Sequence, residues 1–590
     1  MTWRWLALAA ALLAPVPARA GVARVWAVSD GEKIERNDLA SPLRGGNSAW
    51  DGRRVRLFGA RNEVLAVQVV VESDARGIGA LSASLPELRR RAGEERIVYA
   101  PPGADPSASA GRPIQLFSVH YLNVTEPSRA GWVWRPGSQP RDTTGWKPVQ
   151  LVPENAAAGR GGFPLRVGPS RGQALWIEVY TGRGRPAGVY EGSLAITADG
   201  ETRTLPVELQ LFDFTLPDGN SVDAMVYYEP SQVELYHGRN LDPAYHRFAH
   251  RHRVELVHAY DEAAVRALRG RFDGSDFTKA NGYEGPGESV GNRIVPASFY
   301  GPGRGWDDRE SARRRADAWM GFLGRELPRA RTFLYMPDEP ARSEYARIRA
   351  LAGHVHSSPG PGARLPVFVT KHWVSELDGA IDIWCAGPQH VDLARVAQEK
   401  AKGRGYCTYN GGRPNGPAIV IDAPATEARA MAWAVFKHDL DLYFYWHGVH
   451  WRHNSQKQGE RKQNVWANPV TFDNRGQPRK PLPDQGTING DGVLFYPGQE
   501  RVHPEEDRAV AGPIASVQLA NLRRGLQDHL YLTLARKLGL RAAVDEALRA
   551  VVPRVFSDAG ETAGFAETGD AYEAARRELA AAIAAAGGTR

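Results

Sequence analysis

The hydrophobic positions of this chain follow two different rhythms. From residue 21 to about residue 217, short β-prone runs are cut by Gly, Pro, Asn and Asp, with no long helical period among them. Residues 64–71 and 174–180 read as strands, and 192–197 with 205–212 as a hairpin around Asp199-Gly200. This half predicts an all-β sandwich over 21–217. Leu216-Pro217-Asp218-Gly219 is a turn-rich boundary. Beyond it, short apolar runs alternate with helix-length segments, which is the mark of repeated βα units. The runs fall at 224–228, 254–258, 297–300, 332–336, 366–370, 381–385, 406–409 and 442–446. Helical patterns at 309–327, 343–354, 390–402 and 426–438 lie between them. Eight such runs predict a (β/α)8 TIM-like barrel over 218–540, with 297–300 its weakest strand. No glycine-rich dinucleotide turn follows the first run, against an open nucleotide-binding sheet. Residues 519–538 read as a closing helix and 572–586 as another, so 541–590 is expected to be a C-terminal helical segment.

The N-terminus has its own pattern. Arg4, an apolar stretch over 5–16 and Ala18-Arg19-Ala20 predict a secretory signal over 1–20, cleaved after Ala20. The stretch is too short to span a bilayer, and no later one is long enough. The expectation is a soluble exported protein, secreted or periplasmic. A length of 590 residues calls for two or three domains, and 42 % hydrophobic content with 16 Trp calls for well-packed ones. The formal charge of +7 allows affinity for an acidic polymer. There is no basic run with interleaved aromatics to suggest nucleic acid. Cys385 and Cys407 fall on neighbouring predicted strands, so one bridge and two buried thiols are both open. Neither belongs to a Cys/His cluster at metal-ligand spacing, and no metal or cofactor is expected.

The chemistry concentrates at Asp338-Glu339, between Pro337 and Pro340 at the end of the fourth barrel strand. Alone, the pair reads as the start of a helix. At the C-terminal end of a barrel strand it sits where such folds place their chemistry. Two close carboxylates share protons unequally, giving one acid and one anion. Other predicted strands end in aromatics, amides and acids: Tyr227-Tyr228-Glu229, Lys371-His372-Trp373, Trp384, Tyr409-Asn410 and Tyr445-Trp446-His447. Aromatic rings stack on pyranose faces and carboxylic acids cleave glycosidic bonds, so the partner expected is an oligo- or polysaccharide. Tyr335, Tyr228, Glu229, His372, Trp373, Trp384, Tyr409, Asn410, Tyr445, Trp446 and Asp491 are the candidate sugar-binding residues. Asp491, between two glycines, is either a turn residue or a loop acid reaching the site. His246, His250 and His252 read as a solvated cluster, not a metal site. Asp422 reads first as an N-cap of the following helix. The polar, aromatic insertion bounded by Asn454 and Asn468 reads as a lid. No Gly-x-Ser-x-Gly elbow supports serine catalysis.

An ordered set of motifs resembles glycoside hydrolase family 123 and the related domain of unknown function 4091. In the first half these are Arg61-Asn62-Glu63 leading into Gln68-Val69-Val70-Val71, Pro186-Ala187-Gly188-Val189-Tyr190-Glu191-Gly192, and Asp213-Phe214-Thr215-Leu216-Pro217. In the second they are Tyr335-Met336-Pro337-Asp338-Glu339-Pro340, Ile421-Asp422-Ala423-Pro424 with Arg429 and Trp433, and Leu442-Tyr443-Phe444-Tyr445-Trp446. The segment from Gly490 to Gly498 and Leu522-Arg523-Arg524-Gly525-Leu526-Gln527-Asp528 complete the order. Gln518 and His529-Leu530 depart from the family pattern. The resemblance implies a retaining β-N-acetylhexosaminidase, N-acetylgalactosaminidase-like, that uses the substrate's 2-acetamido group. Glu339 would then be the acid/base, and Asp338 the anion that orients the acetamido group. A sugar lacking that group, with Asp338, Glu229 or Asp491 as nucleophile, and a non-catalytic carbohydrate-binding envelope protein are the alternatives.

Overall fold

The computed structural model describes residues 21–455, 459–477 and 485–588. The segment read as an export signal, 1–20, lies outside the described residues. The first half forms two sheets. One orders Val22–Ser29, Glu63–Ser73, Gly172–Thr181, Ile114–Val124 and Gly145–Pro153 as antiparallel neighbours. Strands Pro513–Ser516 and Phe495–Pro497, from the far end of the sequence, extend its edge. The other sheet is built on the hairpin Gly188–Ala198 with Glu201–Thr215. Its turn residues Asp199 and Gly200 have φ of 49° and 87°, the positive values a two-residue hairpin turn needs. Strand Glu63–Ser73 is buried along its whole length, because it is central in one sheet and covered on both faces.

The second half contains seven parallel strands that curl into a half-barrel. Their order is Glu255–Val257, Asp223–Tyr227, Leu442–Tyr445, Gly405–Tyr409, Ile383–Ala386, Val367–Val369 and Leu334–Tyr335. The strand expected at 297–300 is absent from this ladder. Extended chain comes slightly earlier instead, where the N–H groups of Val295 and Ala297 donate to Arg331 and Phe333. Pro296 has no N–H to give, although its carbonyl accepts from Tyr260. This segment therefore touches both edge strands without regular pairing.

Within each strand, alternation sorts the side chains. Met225, Tyr335, Phe368, Ile383, Cys385, Cys407 and Phe444 form the inner cluster. Val226, Leu334, Met336, Val367, Trp384, Tyr443 and Tyr445 face the outer helices. Cys385 and Cys407 are in register on adjacent strands and are both free, buried thiols. Burial, then Cys407, pushes the Cys385 thiol far above its ordinary range.

Helices Arg309–Glu326, Tyr345–His356, Leu393–Ala401 and Thr426–Lys437 occupy the segments with helical period. Helix Val517–Lys537 packs on Thr426–Lys437, and the C-terminal helix Gly569–Ala585 packs on the sandwich. Among the described residues no helix is long and apolar enough to cross a membrane.

Candidate active site

The strand Leu334–Tyr335 leads through Met336-Pro337 into an elbow. Glu339 has φ of +42°, a left-handed conformation that costs a non-glycine residue on the order of 1 kcal/mol or more. On a straight strand Asp338 and Glu339 would point to opposite faces. The elbow puts both on the wall of one cavity of about 1320 Å³.

Thr370, after strand Val367–Val369, holds this geometry. Its hydroxyl accepts from the Glu339 N–H at 3.0 Å and donates to Asp338 Oδ1 at 2.7 Å. The Tyr335 hydroxyl donates to the same Asp338 oxygen at 2.8 Å. The Tyr409 hydroxyl donates to Glu339 Oε1 at 2.6 Å. Burial, then the Glu339 carboxylate, pushes the Tyr409 phenol well above its ordinary range, so it stays a donor.

Across the cavity, Asp491 Oδ1 accepts from Trp446 Nε1 at 2.8 Å. Burial raises its carboxyl to about 6, against the hydrogen bonds it accepts. Asn410, with φ of 55°, caps its strand and accepts from the Trp446 N–H at 3.1 Å. Tyr300, also in the lining, donates its hydroxyl proton to the Trp446 carbonyl at 2.5 Å.

The sequence candidates divide by strand parity. Asp338, Glu339, His372, Tyr409, Asn410, Trp446 and Asp491 line the cavity. Tyr335 lies just beneath them, bonded to Asp338. Tyr445 points outward, its hydroxyl holding the Gly492 N–H at 3.1 Å, in a small recess beside Asp491. The other four lie outside the lining. Tyr227 faces inward, so Tyr228 faces out and packs against Tyr245 and His246. Trp384 is buried on the helix side by the same alternation. Trp373 lies under the guanidinium of Arg395, 3.6 Å from its ring centre. Glu229 accepts from Gln232 and Ser231; His447 first, then these two bonds, outweigh burial and lower its carboxyl to about 2.

Other expectations need correction. His246, His250 and His252 are not a solvated cluster. His246 packs on Tyr228, His250 stacks on Phe277 at 3.8 Å, and His252 packs on Phe248. Burial holds all three imidazoles far below the ordinary range. Among the described residues no group of His, Cys, Asp and Glu is placed to hold a metal ion. Asp422 does not cap a helix. It accepts from the N–H and hydroxyl of Ser128, at 2.6 and 2.8 Å, and from Asn489 Nδ2.

The bonds to Ser128 anchor a wall of the cavity that the hydrophobic period along the chain does not reveal. The loop between strands Ile114–Val124 and Gly145–Pro153 of the sandwich reaches over the half-barrel. It contributes Arg129, Trp132, Trp134, Arg135 and Gln139 to the lining. The loop is pinned by Asp422 and by main-chain bonds between Arg135 and Arg413 and between Arg413 and Val133. The closely spaced pair Trp132 and Trp134 in a loop was the signal available in the sequence. Of the segment between Asn454 and Asn468 read as a lid, residues 456–458 lie outside the described residues and the described ones do not line the cavity; Phe472, Asn474 and Gln477, just beyond it, do.

No protein-family profile matches the chain, and no curated protein matches it. Among solved structures it is similar to a family 123 glycoside hydrolase from Clostridium perfringens, described in a study of glycolipid glycan hydrolysis. The TM-score is 0.60 at 10 % identity, covering 95 % of this chain and 97 % of that one. A β-glucuronidase from Parabacteroides merdae aligns over 65 % of this chain and 45 % of its own, at 10 % identity and a TM-score of 0.23. The first likeness establishes a shared fold along nearly the whole chain.

Proposed function

We propose that this protein is an exported glycoside hydrolase, a retaining β-N-acetylhexosaminidase of the N-acetylgalactosaminidase-like kind, acting on an oligo- or polysaccharide. The half-barrel and the bridging segment around Val295 then act as one (β/α)8-like scaffold. The observation that carries the reading is the elbow. Two adjacent acids face one cavity, Asp338 accepting from the Tyr335 and Thr370 hydroxyls and Glu339 from the Tyr409 hydroxyl.

In this scheme Glu339 gives its proton to the glycosidic oxygen as that bond breaks. The carbonyl oxygen of the substrate's 2-acetamido group attacks the anomeric carbon and forms a cyclic oxazolinium. Asp338 accepts the acetamido N–H and balances the positive ring. Its two hydroxyl donors, Tyr335 and Thr370, suit a group that acts only as an acceptor. Glu339, now a carboxylate, takes a proton from water as the water attacks the anomeric carbon and reopens the ring. Tyr300, Tyr409 and Trp446 offer aromatic surface to the sugar. The cavity exceeds the roughly 300–1,000 Å³ of a typical small-ligand site, leaving room for more than one ring.

Glu339→Gln should lower kcat by about 10²–10⁴-fold with an unchanged unfolding midpoint. Asp338→Asn should be nearly as damaging on substrates with a 2-acetamido group. Hydrolysis of aryl β-N-acetylgalactosaminide at an unchanged rate by Glu339→Gln overturns the assignment. Asp491 favours a second reading, because its buried carboxyl also faces the cavity. Turnover confined to sugars without an acetamido group, abolished by Asp491→Asn, would select that reading.

A further inference from the structure

Part of the cavity wall, drawn from both the half-barrel and the sandwich loop, carries positive charge that the catalytic scheme leaves unused. Lys371 and His372 follow strand Val367–Val369, and His390 ends the short turn Pro388–His390. Arg129 and Arg135 come from the sandwich loop, and all five line the cavity. The rings of His372 and His390 lie 5.0 Å apart. Burial, then His390 and Lys371, holds the His372 imidazole below its ordinary range. For His390 burial, then Lys371, then Arg135 lower it against the Glu339 carboxylate, which raises it. Groups from the half-barrel and from the sandwich loop therefore feel one another's charge.

Several other basic side chains are held in ion pairs. Nearby Arg413 pairs with Glu427, Arg404 with Asp378, and Arg342 with Glu376. Arg129, Arg135 and Lys371 make no ion pair among the described residues. Cations gathered beside a cavity repel one another unless an anion lies between them. Guanidinium and ammonium groups are also the side chains that best hold carboxylate and sulfate oxygens. Trp132, between the two arginines in sequence, also lines the cavity.

We propose that this wall is an anion-binding subsite in which Arg135 and Lys371, flanked by Arg129, His372 and His390, hold the carboxylate or sulfate of an acidic glycan beside the hexosamine whose bond is cleaved. The proposal rests on the glycoside hydrolase reading and specifies its substrate class as anionic.

The test is calorimetric binding to the full Glu339→Gln chain, which separates recognition from turnover. The probes are tetrasaccharides of alternating N-acetylgalactosamine and glucuronate, in unsulfated, sulfated and carboxyl-reduced neutral forms. Charged forms should bind at least about tenfold more tightly than the neutral one, about 1.4 kcal/mol, and the gap should shrink at high salt. The Arg135→Gln/Lys371→Gln double variant should lose the gap. A gap already present without sulfate identifies the carboxylate as the bound group. A gap seen only with sulfate identifies the sulfate ester, and either result supports the subsite. Equal binding of all three forms, no binding of any, or a gap that survives in the double variant overturns it. Turnover by the wild-type chain is scored separately. Neutral hexosaminides hydrolysed without charge preference leave the hydrolase reading standing and end this one. Charge-selective binding with no hydrolysis of any glycan does the reverse.

Discussion

At the residue scale, Thr370 is the hinge of the proposed chemistry. One hydroxyl fixes both acids, accepting from the Glu339 amide and donating to Asp338. Thr370→Val keeps the shape and removes both bonds. It should lower kcat at least about tenfold while costing about 1–2 kcal/mol of stability, measured by steady-state kinetics and chemical denaturation. A large stability loss with normal kcat would reduce Thr370 to a packing role. Asp491 gives a pH prediction. Its carboxyl is raised from 3.8 to about 6 by burial, so the folded protein holds that proton more tightly than the unfolded chain. The group therefore favours folding most below about pH 4, and that contribution is lost as pH rises through about 6. Asp491→Asn, always neutral, should melt higher than wild type at pH 8 and alike at pH 4. An equal offset at both values would show that its charge is irrelevant to the fold. The acids and their neighbouring aromatics were legible as residues, because tyrosine, tryptophan and paired carboxylates recur at strand ends. Which of them face the cavity was not. Tyr228 and Trp384 miss it through alternation alone, since an error of one position in a strand's phase reverses every side chain.

At the element scale, the cavity needs a loop from one sheet system locked onto another. The Asp422 carboxylate holds the Ser128 amide and hydroxyl, and Asn489 closes the same knot from the insertion. Asp422→Ala leaves those buried donors unsatisfied. Loop 127–143 should then exchange amide hydrogens faster and KM should rise about tenfold, with kcat less affected, because the catalytic acids come from the half-barrel and not from this loop. Unchanged KM and unchanged exchange would show that the latch does not shape the site. The helices were readable from their 3.6-residue period, and the hairpin at Asp199-Gly200 from its turn residues. The third barrel unit was not, because Pro296 interrupts the ladder where the run 297–300 suggested a strand. The loop over the cavity lacked any period to read, and its partners lie hundreds of residues away in the chain.

At the scale of the whole molecule, the distant motifs form a buried charge network. Glu63 of the sandwich bonds Arg524, Arg576 and Tyr531, while Asp528 bonds Arg429, Arg576 and Trp433. Glu573 of the last helix joins Arg429 to Arg524. The sequence motifs around residues 61–63, 429–433 and 522–528 are thus braces between helices and sandwich, remote from the cavity lining. Glu178 sits in a parallel brace with Arg523 and Arg251, each on a different part of the fold. Burial pushes its carboxyl up, but the charge and hydrogen bonds of Arg523, then Arg251, outweigh burial and hold it at about 2. A depressed folded-state value contributes stability above the unfolded value of 4.5, lost as pH falls toward about 2. Glu178→Gln should therefore cost about 3 kcal/mol at pH 7, with the gap to wild type closing between about pH 4.5 and 2 in denaturant titrations. A gap independent of pH would assign the loss to packing.

Local rhythm determined the elements of this protein. Period and turn residues depend on neighbours a few positions away, so strands, helices, the sandwich hairpin and the acidic pair at a strand end were all present in the chain itself. Tertiary structure decided what those elements make together. The left-handed elbow at Glu339, the inward phase of Tyr409 and Trp446, the loop pinned by Asp422 and the return of residues 495–516 to the first sheet each depend on contacts between distant segments. Such contacts leave no periodic trace. The two acids were therefore visible in the sequence, whereas the cavity that turns them into a candidate site exists only after folding.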